Sequence, residues 1–98
     1  IYLNNQQCLK SFWKEDVLIG CYIIDGNFLR DIVVHPRLQN CGYGGMMLKH
    51  FLRYMQVDRE EKNIYLRITK SNIGAKRFYD RYGFKVIASF AEHTYRKG

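Results

Sequence analysis

The sequence predicts an α/β (α+β) fold: a mixed, mostly antiparallel sheet with a parallel β-α-β core and two main helices. Three patterns predict it. Short β-branched and aromatic runs alternate with turn residues over the first third of the chain. Two stretches, one from Gly42 and one after Asn72, carry apolar residues at helical spacing. Between them stands one short run that alternates apolar and polar residues, as a strand does.

The elements follow in order. Ile1–Gln7 reads as an irregular lead-in. Cys8–Trp13 and Val17–Ile24 read as strands joined at Lys14-Glu15-Asp16. Asp25-Gly26, with Asn27 following, marks a hairpin turn because both residues tolerate positive φ. Phe28–Val34 is then a third, antiparallel strand, and Pro36 ends it because proline supplies no ladder donor. Gly42–Gln56 reads as a helix, with Tyr43, Met47, Phe51 and Met55 four residues apart and Leu48 and Leu52 beside them. That stripe is core packing. Val57–Asn63 is a polar connection, and Ile64–Ile68 alternates as a strand. A strand–helix–strand unit takes a right-handed crossover, so Phe28–Val34 and Ile64–Ile68 are expected to run parallel. Their carboxyl ends would share the sheet edge where open α/β sheets bind ligands.

Ser71 or Asn72 suits the N-cap of the second helix. Its stripe is Ala75, Phe78, Tyr79 and Tyr82. Gly83 is expected to end it in the left-handed conformation, which places Phe84 against Tyr79. Phe84–Phe90 and His93–Lys97 read as two closing strands.

Composition bounds the function. With 98 residues, residues 1–98 form one expected domain, and 47% hydrophobic content with 15% aromatic argues against disorder. No apolar run approaches the about 20 residues that span a bilayer, so no membrane partner is expected. The chain opens on Ile1 rather than Met, which reads as processing or as part of a longer polypeptide. The three cysteines, Cys8, Cys21 and Cys41, are odd in number, far apart and without metal-ligand spacing. Reduced thiols in a cytoplasmic setting are the simplest account, and no metal is expected. A formal charge of +7 favours an anionic partner such as a phosphorylated cofactor or an acidic substrate, and disfavours a polyamine. An ordinary solvated surface would carry the same charge, and nucleic-acid binding would rest on that charge alone.

The chemistry is concentrated between Asp31 and Phe51. A β-branched strand (Ile32, Val33, Val34) leads into Gln39, Asn40, Cys41, Gly42, Tyr43, Gly44 and Gly45, and then into a helix. Glycines at such a junction leave backbone N–H groups bare, and the helix start adds its unpaired donors and the positive end of its dipole. The result is a site for phosphate or pyrophosphate. It is neither a P-loop nor a dinucleotide fingerprint, since Met47 stands where the latter needs its third glycine.

The pattern V-x-P-x-x-Q-x-x-G-x-G-G at Val34 to Gly45 strongly resembles motif A of the GNAT superfamily of N-acetyltransferases. The pattern N-x-x-A-x-x-x-Y-x-x-x-G-F at Asn72, Ala75, Tyr79, Gly83 and Phe84 resembles the family's motif B. The resemblance covers about Val17 to Tyr95. It implies that the backbone of Ile32–Val34 pairs with the pantetheine arm of acetyl-CoA. It implies that amides of Gln39–Gly44 hold the pyrophosphate and that Asn72 reaches the cofactor arm. It also implies that Tyr79 stands near the cofactor sulfur, where a phenol can protonate the departing thiolate. Asn72 could equally be a plain helix cap, and Tyr79 a core tyrosine. Asp31, Glu15, His35 and His93 are candidate bases, with surface and loop roles as ready alternatives. Cys41, beside a helix N-terminus, reads as a space-filling residue more than a reactive thiol. Lys70, Lys76 and Arg77 could assist the cofactor phosphates or be solvated.

In one respect the chain departs from the family. GNAT domains begin with a strand and one or two helices that wall the acceptor groove, and only about seven residues precede the first strand here. The expectation is a GNAT-like fold lacking that N-terminal strand and those helices, its acceptor half either truncated or completed by a second copy or by a protein substrate. The expected activity is acetyl transfer from acetyl-CoA to a primary amine, on a small molecule or a protein. The alternative is a regulator that binds CoA or acetyl-CoA and acts on a partner without turnover.

Overall fold

The computed structural model describes residues Gln7–Ser89 and Glu92–Lys97. It forms two compact units that divide between Lys62 and Asn63. The class is the one the sequence predicts, mostly antiparallel strands with two main helices.

In the first unit, β1 (Gln7–Lys14), β2 (Val17–Asp25) and β3 (Phe28–Val34) form an antiparallel meander. Gln7 therefore belongs to β1, and the rest of the expected lead-in lies outside the described residues. The β2–β3 turn is displaced by one residue from the expected position. Asp25 pairs with Phe28, and the loop is Gly26-Asn27, in which Gly26 alone takes positive φ (+62°). Gln7 Nε2 donates to the Asp25 carboxylate at 3.3 Å, which holds Asp25 at the end of the ladder. A three-residue 3-10 turn (Pro36–Leu38) follows β3, and then α1 (Tyr43–Arg53). The helix does not stop at Gln56. It widens into a π turn over Tyr54–Asp58, in which the Arg59 N–H donates to the Tyr54 carbonyl at 3.0 Å. Of the expected stripe, Met47, Leu48, Phe51 and Met55 have no exposed surface, while Tyr43 and Leu52 are half-buried.

The meander accepts α1 because β2 carries Gly20. A Cβ at Gly20 would collide with the Val33 carbonyl and come within 2.9 Å of the Met47 Cε. Two further β2 residues, Tyr22 and Ile24, are fully buried. The Tyr22 hydroxyl bonds His50 Nδ1 of α1 at 2.7 Å, and the His50 ring meets Phe12 of β1 edge-on.

The second unit comprises β4 (Tyr65–Thr69), α2 (Ile73–Arg81), β5 (Phe84–Ser89) and β6 (Glu92–Lys97). β6 pairs antiparallel with both β4 and β5. The expected end of β5 at Phe90 lies outside the described residues. Leu66, Ile68, Phe84 and Tyr95 are buried on one face, and α2 lays Tyr79 against Phe84 with ring centroids 5.7 Å apart.

Candidate functional site

The site begins where β3 runs out. The His35 N–H donates to the Ile19 carbonyl at 2.8 Å, one step beyond the regular ladder. Pro36 then opens the 3-10 turn, where its missing N–H costs nothing. His35 closes that turn twice: its Nδ1 accepts the Arg37 N–H at 3.1 Å and its carbonyl accepts the Leu38 N–H at 2.8 Å. Gln39 reaches back, its Nε2 donating to the Val34 carbonyl at 3.4 Å. The loop is thus tied to the strand end it leaves.

Two left-handed residues then turn the chain into α1. Asn40 has φ +63° and Gly42 φ +86°. Asparagine tolerates that region and glycine adopts it without strain. Gly42 is the N-cap of α1, and no side chain caps the helix. Its carbonyl accepts the Met46 N–H at 3.1 Å, so the N–H groups of Tyr43, Gly44 and Gly45 belong to the turn without intrahelical acceptors. No acidic residue occupies that first turn. A Cβ at Gly42 would meet nothing within 4 Å, so the backbone faces open space on that side. Bare donors, the positive end of the helix dipole and room beside the backbone fit a diphosphate. Gln39, Asn40, Cys41 and Gly42 are exposed, and the Cys41 thiol lies 3.7 Å from the Gln39 carbonyl. Ile32 and Val34 are half-buried, while Val33 is exposed.

The other expected site residues lie on α2. Asn72, rather than Ser71, is its N-cap, with Oδ1 accepting the Ala75 N–H at 3.1 Å. Gly83 ends the helix at φ +85°, with its N–H donating to the Asp80 carbonyl at 3.1 Å. Tyr79 is buried between the rings of Phe78 and Phe84, so the core-packing role expected as its alternative is present. Of the basic trio, Lys76 is ion-paired with Asp80 at 2.8 Å, a bond that raises the Lys76 pKa, and Lys70 and Arg77 are exposed.

The candidate bases stand on separate stretches of the chain. Glu15 takes φ +56° in the β1–β2 turn and Asp31 is exposed on β3. His35 Nδ1 is engaged by Arg37, and His93 Nδ1 bonds Ser89 Oγ at 2.9 Å. Among the described residues, no group of His, Cys, Asp or Glu could hold a metal ion. No helix among them is long and apolar enough to cross a membrane. Sequence reasoning missed the Gln39 tether and the left-handed Asn40. An Asn two residues before a loop glycine was the available signal for the latter.

The family model described as the acetyltransferase (GNAT) family matches residues 4–84. The chain belongs to the GNAT family of acetyltransferases. No curated protein matches it. Several solved GNAT structures share its fold. The PaiA N-acetyltransferase of Thermoplasma acidophilum, in complex with coenzyme A, superposes with TM-score 0.82 at 18% identity, over 94% of this chain and 60% of that one. A GNAT acetyltransferase of Elizabethkingia anophelis with acetyl-CoA bound gives 0.83 at 19% identity, over 93% and 75%. The Campylobacter jejuni N-acetyltransferase PseH gives 0.81 at 12%, over 95% and 68%. This GNAT chain therefore spans 60% of the length of the PaiA protein.

Proposed function

We propose that this GNAT chain binds acetyl-CoA and transfers its acetyl group to a primary amine by direct attack in a ternary complex. The observation that carries the reading is the loop into α1. A left-handed glycine caps the helix, no side chain or acid competes for its first-turn N–H groups, and open space lies beside it. The CoA and acetyl-CoA bound by the fold relatives support acetyl-CoA as the donor. In this reading the amides of Gln39–Gly44 take the pyrophosphate, with Gly45 completing the turn. The backbone of Ile32–Val34 takes the pantetheine arm and Asn72 its polar groups.

The amine nitrogen attacks the thioester carbonyl, and the oxyanion that forms is stabilised by backbone N–H groups. The C–S bond then breaks, CoA leaves as a thiolate, and the Tyr79 hydroxyl donates a proton to it. The nitrogen gives up its own proton to a base or to water.

A second reading is favoured by the burial of Tyr79 between Phe78 and Phe84, which suits a core residue. In that reading the chain binds acetyl-CoA and regulates a partner without turnover. Calorimetric titration with acetyl-CoA and CoA tests the shared half. Gly44→Glu, which puts bulk and negative charge in the loop, is expected to abolish binding, and retained affinity would remove the loop assignment. Turnover of an amine acceptor by the wild-type chain separates the two readings, and Tyr79→Phe then tests the acid: slower acetyl transfer at unchanged affinity supports Tyr79, and unchanged turnover removes it.

A further inference from the structure

The positive charge is unevenly distributed. Residues 63–98 carry eight Lys or Arg against two Asp or Glu, a formal +6 of the chain's +7. One of those acids, Asp80, is already paired with Lys76. Part of the excess is gathered on one surface. In the ladders of β4, β6 and β5, Tyr65 stands opposite Arg96 and Arg96 opposite Lys85, so the three form a row across the strands. Arg67, opposite Thr94, stands in the neighbouring row. Directly opposed residues point to the same face. The reverse face holds the buried Leu66, Phe84 and Tyr95, where α2 packs. On the row's face Arg67, Lys85 and Arg96 are exposed, and Tyr65 and Thr94 are half-buried.

Like charges directly opposite one another on neighbouring strands oppose folding. Lys85 and Arg96 are such a pair. Glu92 holds the register position opposite Thr69, two rows away from Arg96. Carboxylates brought by a partner would turn this repulsion into attraction. We propose that the face of β4–β6–β5 that carries the exposed, opposed Lys85 and Arg96 docks an acidic segment of a partner protein. Arg96 offers a planar fork for a carboxylate, and Lys85 a point charge beside it. Alternate residues along a strand lie about 6.8 Å apart, so an extended segment with acids at alternate positions can bring successive carboxylates to the face that holds Arg96. Single-stranded nucleic acid fits less well. It is held by aromatic rings in series, and among the described residues this face offers Tyr65 alone, half-buried. The proposal is independent of acetyl transfer.

The test is fluorescence anisotropy of a labelled peptide of about twelve residues alternating Glu and Ser, titrated with the whole chain. A Gln-for-Glu peptide and a single-stranded oligonucleotide of the same length are the competitors. The Glu peptide is expected to bind in a salt-sensitive manner, and Lys85→Glu with Arg96→Glu to weaken it by about tenfold or more. Lys85→Glu alone replaces a repulsive pair with an attractive one, so its melting temperature should hold or rise. That separates lost docking from lost fold. Arg81→Glu makes the same charge change on α2 and should alter affinity by no more than about twofold. The proposal is overturned if wild type ignores the Glu peptide, if the Gln peptide or the oligonucleotide binds as tightly, or if Arg81→Glu costs as much as Lys85→Glu.

Discussion

Gly20 shows how one missing Cβ positions a site. Met47 lies in the space a side chain would take, and Met47 belongs to the helix whose first turn presents the anion donors. Gly20→Ala would press on a backbone carbonyl that cannot retreat without leaving the β2–β3 ladder. The expected cost is roughly 1–3 kcal/mol, read as a lower denaturant midpoint at unchanged m-value. Acetyl-CoA affinity should fall with it, because α1 moves with Met47. No feature of the sequence marks this glycine, since its neighbours in space are Val33 and Met47 and the collision exists only once the helix is docked. The same holds for Tyr22 and His50, 28 positions apart and joined by a 2.7 Å bond. By contrast Gly83 was legible, because it sits where a helix must end and takes positive φ, while Gly42 was read as the first residue of α1 and is its left-handed N-cap.

At the scale of elements, the hydrophobic periods located the strands to within a residue or two, and the misplacements have physical reasons. The β2–β3 turn moved because Asp25 is held in the ladder and Gly26 can supply the turn by itself. The end of α1 was missed because no glycine or proline follows Met55 to stop the helix, and the chain widens into a π turn that still buries Met55. The α2 boundaries were legible at both ends, the start to within one residue from Ser71 or Asn72 and the end from Gly83. Since Asn72 Oδ1 satisfies the Ala75 N–H, Asn72→Ala should cost about 1 kcal/mol of stability. Asn72→Asp keeps the cap, so thermal melting should separate the two variants. If Asn72 also touches acetyl-CoA, Asn72→Asp should bind it more weakly while melting like wild type. A variant that melts like wild type and binds like wild type would leave Asn72 as a cap alone.

For the whole molecule, the buried phenols of Tyr22 and Tyr95 make stability sensitive to alkali. Burial, then the nearby Cys8, Tyr54 and Asp58, push the Tyr22 pKa far above the ordinary phenol range. Burial also raises Tyr95, whose buried hydroxyl has no hydrogen-bond partner among the described residues. The folded state therefore favours the neutral phenol, while unfolded tyrosines ionise near pH 10. Stability from this source is complete below about pH 10 and is lost as pH rises above it. Denaturant melts at about pH 8 and pH 11 should show that loss, and Tyr22→Phe should show less of it. An equal loss in the variant would place the alkaline sensitivity elsewhere. Tyr22→Phe also removes the bond to His50, a cost of roughly 0.5–1.5 kcal/mol already present at neutral pH.

The packing of α1 on β2 also sorts the three methionines by chemical fate. Met46 is 42% exposed, whereas Met47 and Met55 have no accessible surface. A peroxide can reach the Met46 thioether in the native protein and must wait for the chain to open to reach the other two. Brief peroxide treatment followed by peptide mass spectrometry should find the sulfoxide at Met46 first. The later appearance of oxygen on Met47 would time how often the helix lifts off Gly20, and a ligand seated at the start of α1 should slow that clock without protecting Met46.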